Sequence, residues 1–235
     1  MKENVLKENK RVLLLGIGGV SMHQLALCYL NEGYKVVGYD RAENEYTTNC
    51  FKHGIVVFNK FNKAGLDVDF CVKTAAVKDN NKFVVELKKR GIKIVDRAEA
   101  LGYFAAKFKC VVAVAGTHGK STTSALIYEM LRQANFSVSC HIGADVFAPR
   151  FNTKDDVLVV EACEYNKSFL SLYPTVSVVT NVEPEHLDCY GSFFALKSAF
   201  ATFLRRGKKR FVFKGKTTQF LGKINDVNFV EKTQN

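Results

Sequence analysis

No apolar run in the 235 residues approaches the ~20 needed to cross a bilayer, so nothing here reads as a membrane span. Residues 1–10 mix Lys, Glu and Asn without an apolar stretch, which excludes a secretory signal there, and the strand-like run at 12–15 is far too short to be one. No Cys-x-x-Cys pair occurs among the seven cysteines (Cys28, Cys50, Cys71, Cys110, Cys140, Cys163, Cys189). An odd, scattered set of this kind argues for reduced thiols in a cytoplasmic protein and against a metal cluster. Repeats and low-complexity tracts are missing as well. Acidic residues are scarce, 23 against 34 basic ones, for a net charge of +11. The densest basic stretch, residues 205–216, holds seven Lys or Arg and no acid. The spacing of a base-stacking surface does not accompany it, so the stretch reads as a solvated loop and strand edge, not a nucleic-acid or membrane patch.

What is present is ordinary for a folded chain: 47% hydrophobic and 24% charged residues, over a length that allows two compact domains. Short β-branched runs alternate with helical stretches, the pattern of a parallel sheet covered on both faces. Strands are expected at 11–15, 35–39, 68–72, 93–95, 110–115, 157–160, 176–180 and 210–213. Helices are expected at 21–31, 82–90, 98–107, 120–134 and 193–204. Two strands run directly into a Gly-rich turn and a helix, at 15–21 and 115–121, and such units commonly open separate nucleotide-binding folds. The expected fold is therefore α/β, with two Rossmann-like domains at 1–108 and 109–235.

The second turn carries the stronger signal. Strand 111–115 leads into Gly116, Thr117, His118, Gly119, Lys120, Ser121 and Thr122. The first amides of the following helix lack intrahelical partners and face the positive end of its dipole, which suits phosphate. Gly116 and Gly119 allow close backbone approach, Lys120 offers an ammonium to the β/γ-phosphates, and the Ser121 hydroxyl suits Mg²⁺. Val114 stands where the full G-x-x-x-x-G-K-[ST] pattern requires glycine, so this is a shortened phosphate loop.

Two further strands end in groups suited to a magnesium nucleotide. One ends at Glu161, followed by Glu164; another ends at Asn181, followed by Glu183, Glu185, His186 and Asp188. Ligands of parallel sheets gather at such carboxyl ends. Either residue alone is equally a solvent-facing group, so the weight lies in their combination.

In this order the segments G116-THGKST, E161-ACEY, and T180-NVE followed by H186-LD resemble the Mur ligases. Residues 16–22, 33–40 and 97–99 agree, so the likeness spans about residues 11–210. Within the family it is greatest to the branch that joins L-alanine to UDP-N-acetylmuramate in peptidoglycan precursor synthesis. The resemblance implies an ATP-dependent ligase using Mg²⁺, in which Lys120, Glu161 and His186 serve catalysis. Gly116, Thr117, His118, Gly119, Lys120, Ser121, Thr122 and Asn181 would bind ATP, with Asn181 near the adenine. Ser121, Glu161 and His186 would hold metal. Gly16, Gly18, Gly19, Val20, Ser21, Asp40 and Thr74 would bind the UDP-sugar. That first loop by itself suits any pyrophosphate, a dinucleotide included.

Departures accompany the likeness. Ser121 replaces threonine and keeps the hydroxyl, Glu185 replaces aspartate before His186, and Ala75 replaces a serine. Family ligases also continue into a C-terminal domain, whereas this sequence stops at Asn235. The resemblance therefore implies nucleotide or UDP-sugar binding without L-alanine ligation by this polypeptide alone, the remaining domain being supplied by a separate chain or lost. A non-catalytic binding module of the same ancestry is the alternative reading.

Overall fold

The structure is a computed structural model that describes residues 10–143 and 151–231. It divides into two compact units, one up to Ala100 and one from Leu101 onward. The first holds β1 (Arg11–Leu15), α1 (Val20–Asn31), β2 (Lys35–Tyr39), α2 (Glu45–Lys52), β3 (Val56–Phe58), β4 (Phe70–Lys73), α3 (Lys82–Lys89), β5 (Lys93–Asp96) and the start of α4 (Arg97–Ala105). Its five strands are all parallel, in the order β3-β2-β1-β4-β5. Val12, Leu13, Leu14 and Leu15 of β1 are fully buried, as a central strand covered on both faces requires. Leu13, Leu15, Cys71, Phe83, Val84 and Leu87 fill one side of the sheet. Tyr29 meets both Tyr34 and Phe70 edge to face elsewhere in the unit.

The second unit holds β6 (Cys110–Ala115), α5 (Lys120–Gln133), β7 (Val138–His141), β8 (Val157–Glu161), β9 (Val176–Val179), α6 (Leu187–Tyr190), α7 (Phe193–Arg206), β10 (Lys209–Phe213) and β11 (Val227–Val230). The sheet is again all parallel, ordered β11-β10-β9-β6-β8-β7. The chain leaves β6 toward one edge and later returns to its other side at β9. The carboxyl ends of β6, β8 and β9 therefore flank the point where strand order reverses, the place where α/β sheets bind ligands. Behind it, Phe169 stacks on Phe203 with centroids 5.1 Å apart and meets Phe200 edge to face at 5.2 Å.

Three strands (β3, β7, β11) and two helices (α2 and the four-residue α6) have no counterpart in the sequence reading. β3 is three residues long at a sheet edge, and β11 is a largely exposed edge strand. β7 is buried throughout yet reads Val-Ser-Cys-His, and its Ser139 hydroxyl is satisfied by donation to Asp155 at 2.6 Å. α2 is mostly polar; its start is fixed by a capping box in which Asn44 and Thr47 bond each other's backbone. The basic stretch at 205–216 keeps Arg205, Lys208, Lys209, Lys214 and Lys216 exposed, as expected, but its strand is not at the sheet edge. It runs through β10, one strand in from the edge, where Val212 is buried and Phe211 packs on the unit's core. No helix among the described residues is long and apolar enough to cross a membrane.

His23 on α1 is buried, with Nε2 2.9 Å from Asn49 Oδ1. Burial holds its pKa below the usual 6.5, the Asn49 hydrogen bond opposes this, and His53 adds a smaller lowering. On acidification the unfolded chain takes up this proton first. The residue's contribution is thus complete above pH 6.5 and is lost as pH falls through the lowered folded value. Urea midpoints measured downward from pH 6.5 will fall less steeply in His23→Gln than in the parent. In the second unit, Phe203→Ala will cost about 3–5 kcal/mol, whereas Phe194→Ala in the same helix will stay within about 0.5 kcal/mol. Phe203 is 0% and Phe194 80% exposed, and equal urea shifts for the two would contradict this packing.

Candidate functional site

Three of the described helices are capped by side chains at their starts. Asn44 caps α2, Asn81 caps α3 and Ser192 caps α7. α1 and α5 differ: each begins at a glycine, Gly19 or Gly119, with no side-chain cap and no acid in its first turn. Each thus presents free amides and an uncompensated positive dipole end just after a central strand. Both turns can hold an anion.

In the second unit the turn is held by the adjacent strand end. Gly116 has φ of 151°, and a Cβ there would collide with the Thr180 hydroxyl. Thr180 donates to His118 O at 2.7 Å. Asn181 accepts from His118 N at 2.9 Å and donates to His118 O at 3.0 Å, while its own carbonyl accepts from Thr117 N at 3.1 Å. Thr117 Oγ1 accepts from Glu183 N at 2.8 Å. The carboxamide of Asn181 is thus bonded at both ends to the backbone of one residue of the turn, His118, and it positions that turn. Thr117, His118, Gly119, Lys120, Ser121, Thr122 and Glu161 line a cavity of ≈ 240 Å³.

The four expected catalytic and metal-holding side chains fall into two groups. Ser121 donates to Glu161 Oε2 at 2.9 Å, and Gly143 N donates to the same oxygen at 2.9 Å. A hydroxyl beside a carboxylate is a hard oxygen pair of the kind that suits Mg²⁺. Lys120 and His186 instead meet Glu164, which is buried. Lys120 Nζ lies 3.2 Å from Glu164 Oε1 and 3.0 Å from Oε2, and His186 Nε2 lies 3.7 Å from Oε1. Glu164, Glu185 and His186 each place a ligand atom within 4.8 Å of the others. Tyr190 donates to the Glu164 carbonyl at 2.6 Å, and burial, then the Glu164 charge, push its phenol pKa up. His118 faces Glu183 and Glu185, each at 3.6 Å.

In the first unit, a cavity of ≈ 510 Å³ is lined by Gly16, Gly19, Val20, Ser21, Asp40 and Thr74, all expected from sequence. Gly18 is a brace instead: its N–H donates to Asp40 Oδ2 at 2.8 Å, and its carbonyl accepts from Asn44 Nδ2 at 2.9 Å. Asp40 Oδ1 accepts from Ala42 N at 3.2 Å, so both of its oxygens engage backbone amides. Arg41, Lys78 and Arg97 also line the cavity, and Arg97 Nη1 donates to Ser21 Oγ at 2.9 Å. Arg97 and Glu164 were missed as site residues. Both stood inside segments noted above, but spacing along the chain does not reveal that Arg97 reaches Ser21 across 76 residues or that Glu164 meets Lys120.

Residues 11–109 match the Mur ligase family catalytic domain, and residues 114–226 match the Mur ligase middle domain. UDP-N-acetylmuramate–L-alanine ligase of Clostridium perfringens is 38% identical over 210 residues, covering 87% of this chain and 46% of the relative. The enzyme of the same name from Acetivibrio thermocellus is 38% identical over 200 residues, covering 83% of this chain and 43% of the relative. The chain thus spans less than half the length of these curated relatives. Among solved structures, UDP-N-acetylmuramate-alanine ligase of Thermotoga maritima superposes with a TM-score of 0.82 at 29% identity, over 95% of this chain and 53% of that one. UDP-N-acetylmuramate:L-alanyl-gamma-D-glutamyl-meso-diaminopimelate ligase of Neisseria meningitides shares the fold, with a TM-score of 0.82 at 24% identity, over 95% of this chain and 78% of that one. Two parallel sheets, each with an uncapped glycine turn at its reversal point, thus coincide with two adjoining domain matches that cover nearly the whole sequence, and the chain belongs to the Mur ligase family.

Proposed function

We propose that this chain carries the two anion sites of an ATP-dependent ligase that joins L-alanine to the carboxylate of UDP-N-acetylmuramate, in cytoplasmic peptidoglycan precursor synthesis. The sugar nucleotide belongs to residues 1–108 and ATP to residues 109–235. The observation that carries this reading is the cavity of the second unit, where the amides of an uncapped helix, Lys120 and the Ser121–Glu161 pair adjoin one glycine turn. In the first unit, Arg97 and Ser21 lie beside the amides that would receive the diphosphate.

The reaction would transfer the γ-phosphate to the muramoyl carboxylate, giving an acyl phosphate, whose carbonyl the amine of L-alanine attacks as phosphate leaves. Both reactants are anions, so the protein's task is to position them and offset their repulsion. Helix amides and Lys120 would hold the polyphosphate, while Thr180 and Asn181 keep the turn in shape. Ser121 and Glu161 would hold Mg²⁺, with His186 in the family role of a further ligand beside Glu164 and Glu185. When bound, Mg²⁺ supplies charge neutralisation at the phosphates.

Calorimetric titration of this chain with Mg²⁺–ATP, and separately with UDP-N-acetylmuramate, tests both sites. Lys120→Ala will weaken ATP by about 10- to 100-fold, as loss of a charged hydrogen bond does, and leave the sugar nucleotide within about twofold. Arg97→Ala will do the reverse. Binding of NAD in place of the sugar nucleotide would overturn the assignment of the first unit, and absence of ATP binding would overturn that of the second.

A further inference from the structure

A buried carboxylate is costly unless cations and hydrogen bonds compensate it. Glu164 is only 3% exposed, and Lys120, its nearest cation, has a side chain only 13% exposed. The ammonium of Lys120 donates to Gly116 O at 2.5 Å, to Thr117 O at 3.1 Å and to Glu164 Oε1 at 3.2 Å. An ammonium has three protons. All three are therefore engaged within the protein: two on the carbonyls of the lysine's own turn and one on the carboxylate. The side chain lies folded back across the turn that it would have to leave in order to reach a polyphosphate.

The surroundings keep Glu164 where it is. Its carbonyl accepts from the Tyr190 hydroxyl and also from Lys167 N at 2.9 Å. His186 Nε2 lies 3.7 Å from Oε1, the oxygen that accepts from Lys120, so the carboxylate keeps a polar neighbour if the lysine departs. Asn166, Lys167 and His186 all have left-handed backbone, with φ of 51°, 58° and 53°. Such conformations cost energy in non-glycine residues and persist where the surroundings dictate them.

We propose that Glu164 is a positioning residue: it parks Lys120 on the glycine turn in the nucleotide-free protein, and incoming polyphosphate must exchange for it. The inference rests on the ATP reading for what displaces the lysine, but not for the parked state itself. Glu161 provides the contrast. It is a carboxylate of the same cavity, yet it is bonded to Ser121 and Gly143 and not to Lys120.

The test has two arms. In the first, no nucleotide is present, and Lys120 is reductively methylated with formaldehyde and read by mass spectrometry against Lys109, whose side chain is 82% exposed. Glu164→Gln will raise the relative labelling of Lys120 on the order of tenfold, Glu164→Asp will give an intermediate rise, and Glu161→Gln will leave it unchanged. No rise in either Glu164 variant, or an equal rise in Glu161→Gln, would overturn the proposal. In the second arm, Glu164→Gln will tighten ATP binding about three- to tenfold in the parent and by less than about twofold in a Lys120→Met background. Equal tightening in both backgrounds would mean that Glu164 acts as a plain negative charge, and the proposal falls. If labelling rises as expected while the parent binds no ATP, the parked lysine stands and the functional reading fails.

Discussion

One residue, His118, holds the second unit's site together through its backbone. Its N–H and carbonyl are both bonded by the Asn181 carboxamide, and its carbonyl also receives the Thr180 hydroxyl. These residues sit at the end of β9, next to β6 in the sheet, so the turn after β6 takes its shape from a neighbouring strand and not from its own sequence. Everything the cavity offers follows from that attachment. The amides of α5 point at one place, Ser121 emerges beside Glu161 from β8, and Lys120 is carried within reach of Glu164. The constraint is steric as well, since Gly116 leaves no room for a side chain against Thr180.

The first unit solves the same problem with different parts. Its glycine turn is gripped at Gly18 by Asp40 and Asn44, which come from the end of β2 and the cap of α2. An acid at the end of the second strand is often read as a ribose ligand. Here its two oxygens serve backbone amides, and positive charge at the cavity comes from Arg41, Lys78 and Arg97.

The α/β class and the inner strands were legible because buried parallel strands are continuous apolar runs, and 11–15, 35–39 and 110–115 agree with β1, β2 and β6 to the residue. β3, β7 and β11 were not, being short, polar or at an edge, and α2 is specified by its capping box more than by any apolar stripe. The glycine turns were legible for a local reason: strand, glycine and helix follow one another in sequence. Pairings across the sheet were not. Chain order does not show that the Asn181 carboxamide engages His118, and His186, grouped with Glu161 by the resemblance, turns its imidazole toward Glu164. Which of two carboxylates three residues apart turns toward a lysine 44 residues away is settled by the path of the chain after β8.

The bare starts of α1 and α5 have a consequence for the whole molecule. An N-cap residue is typically worth about 1 kcal/mol, and these two helices forgo it where α2, α3 and α7 retain it. A phosphate resting on those amides would do the work of the absent cap, so ligand becomes the final piece of each fold. Occupancy and thermal resistance are then linked by mass action, and the emptied protein is the softer one.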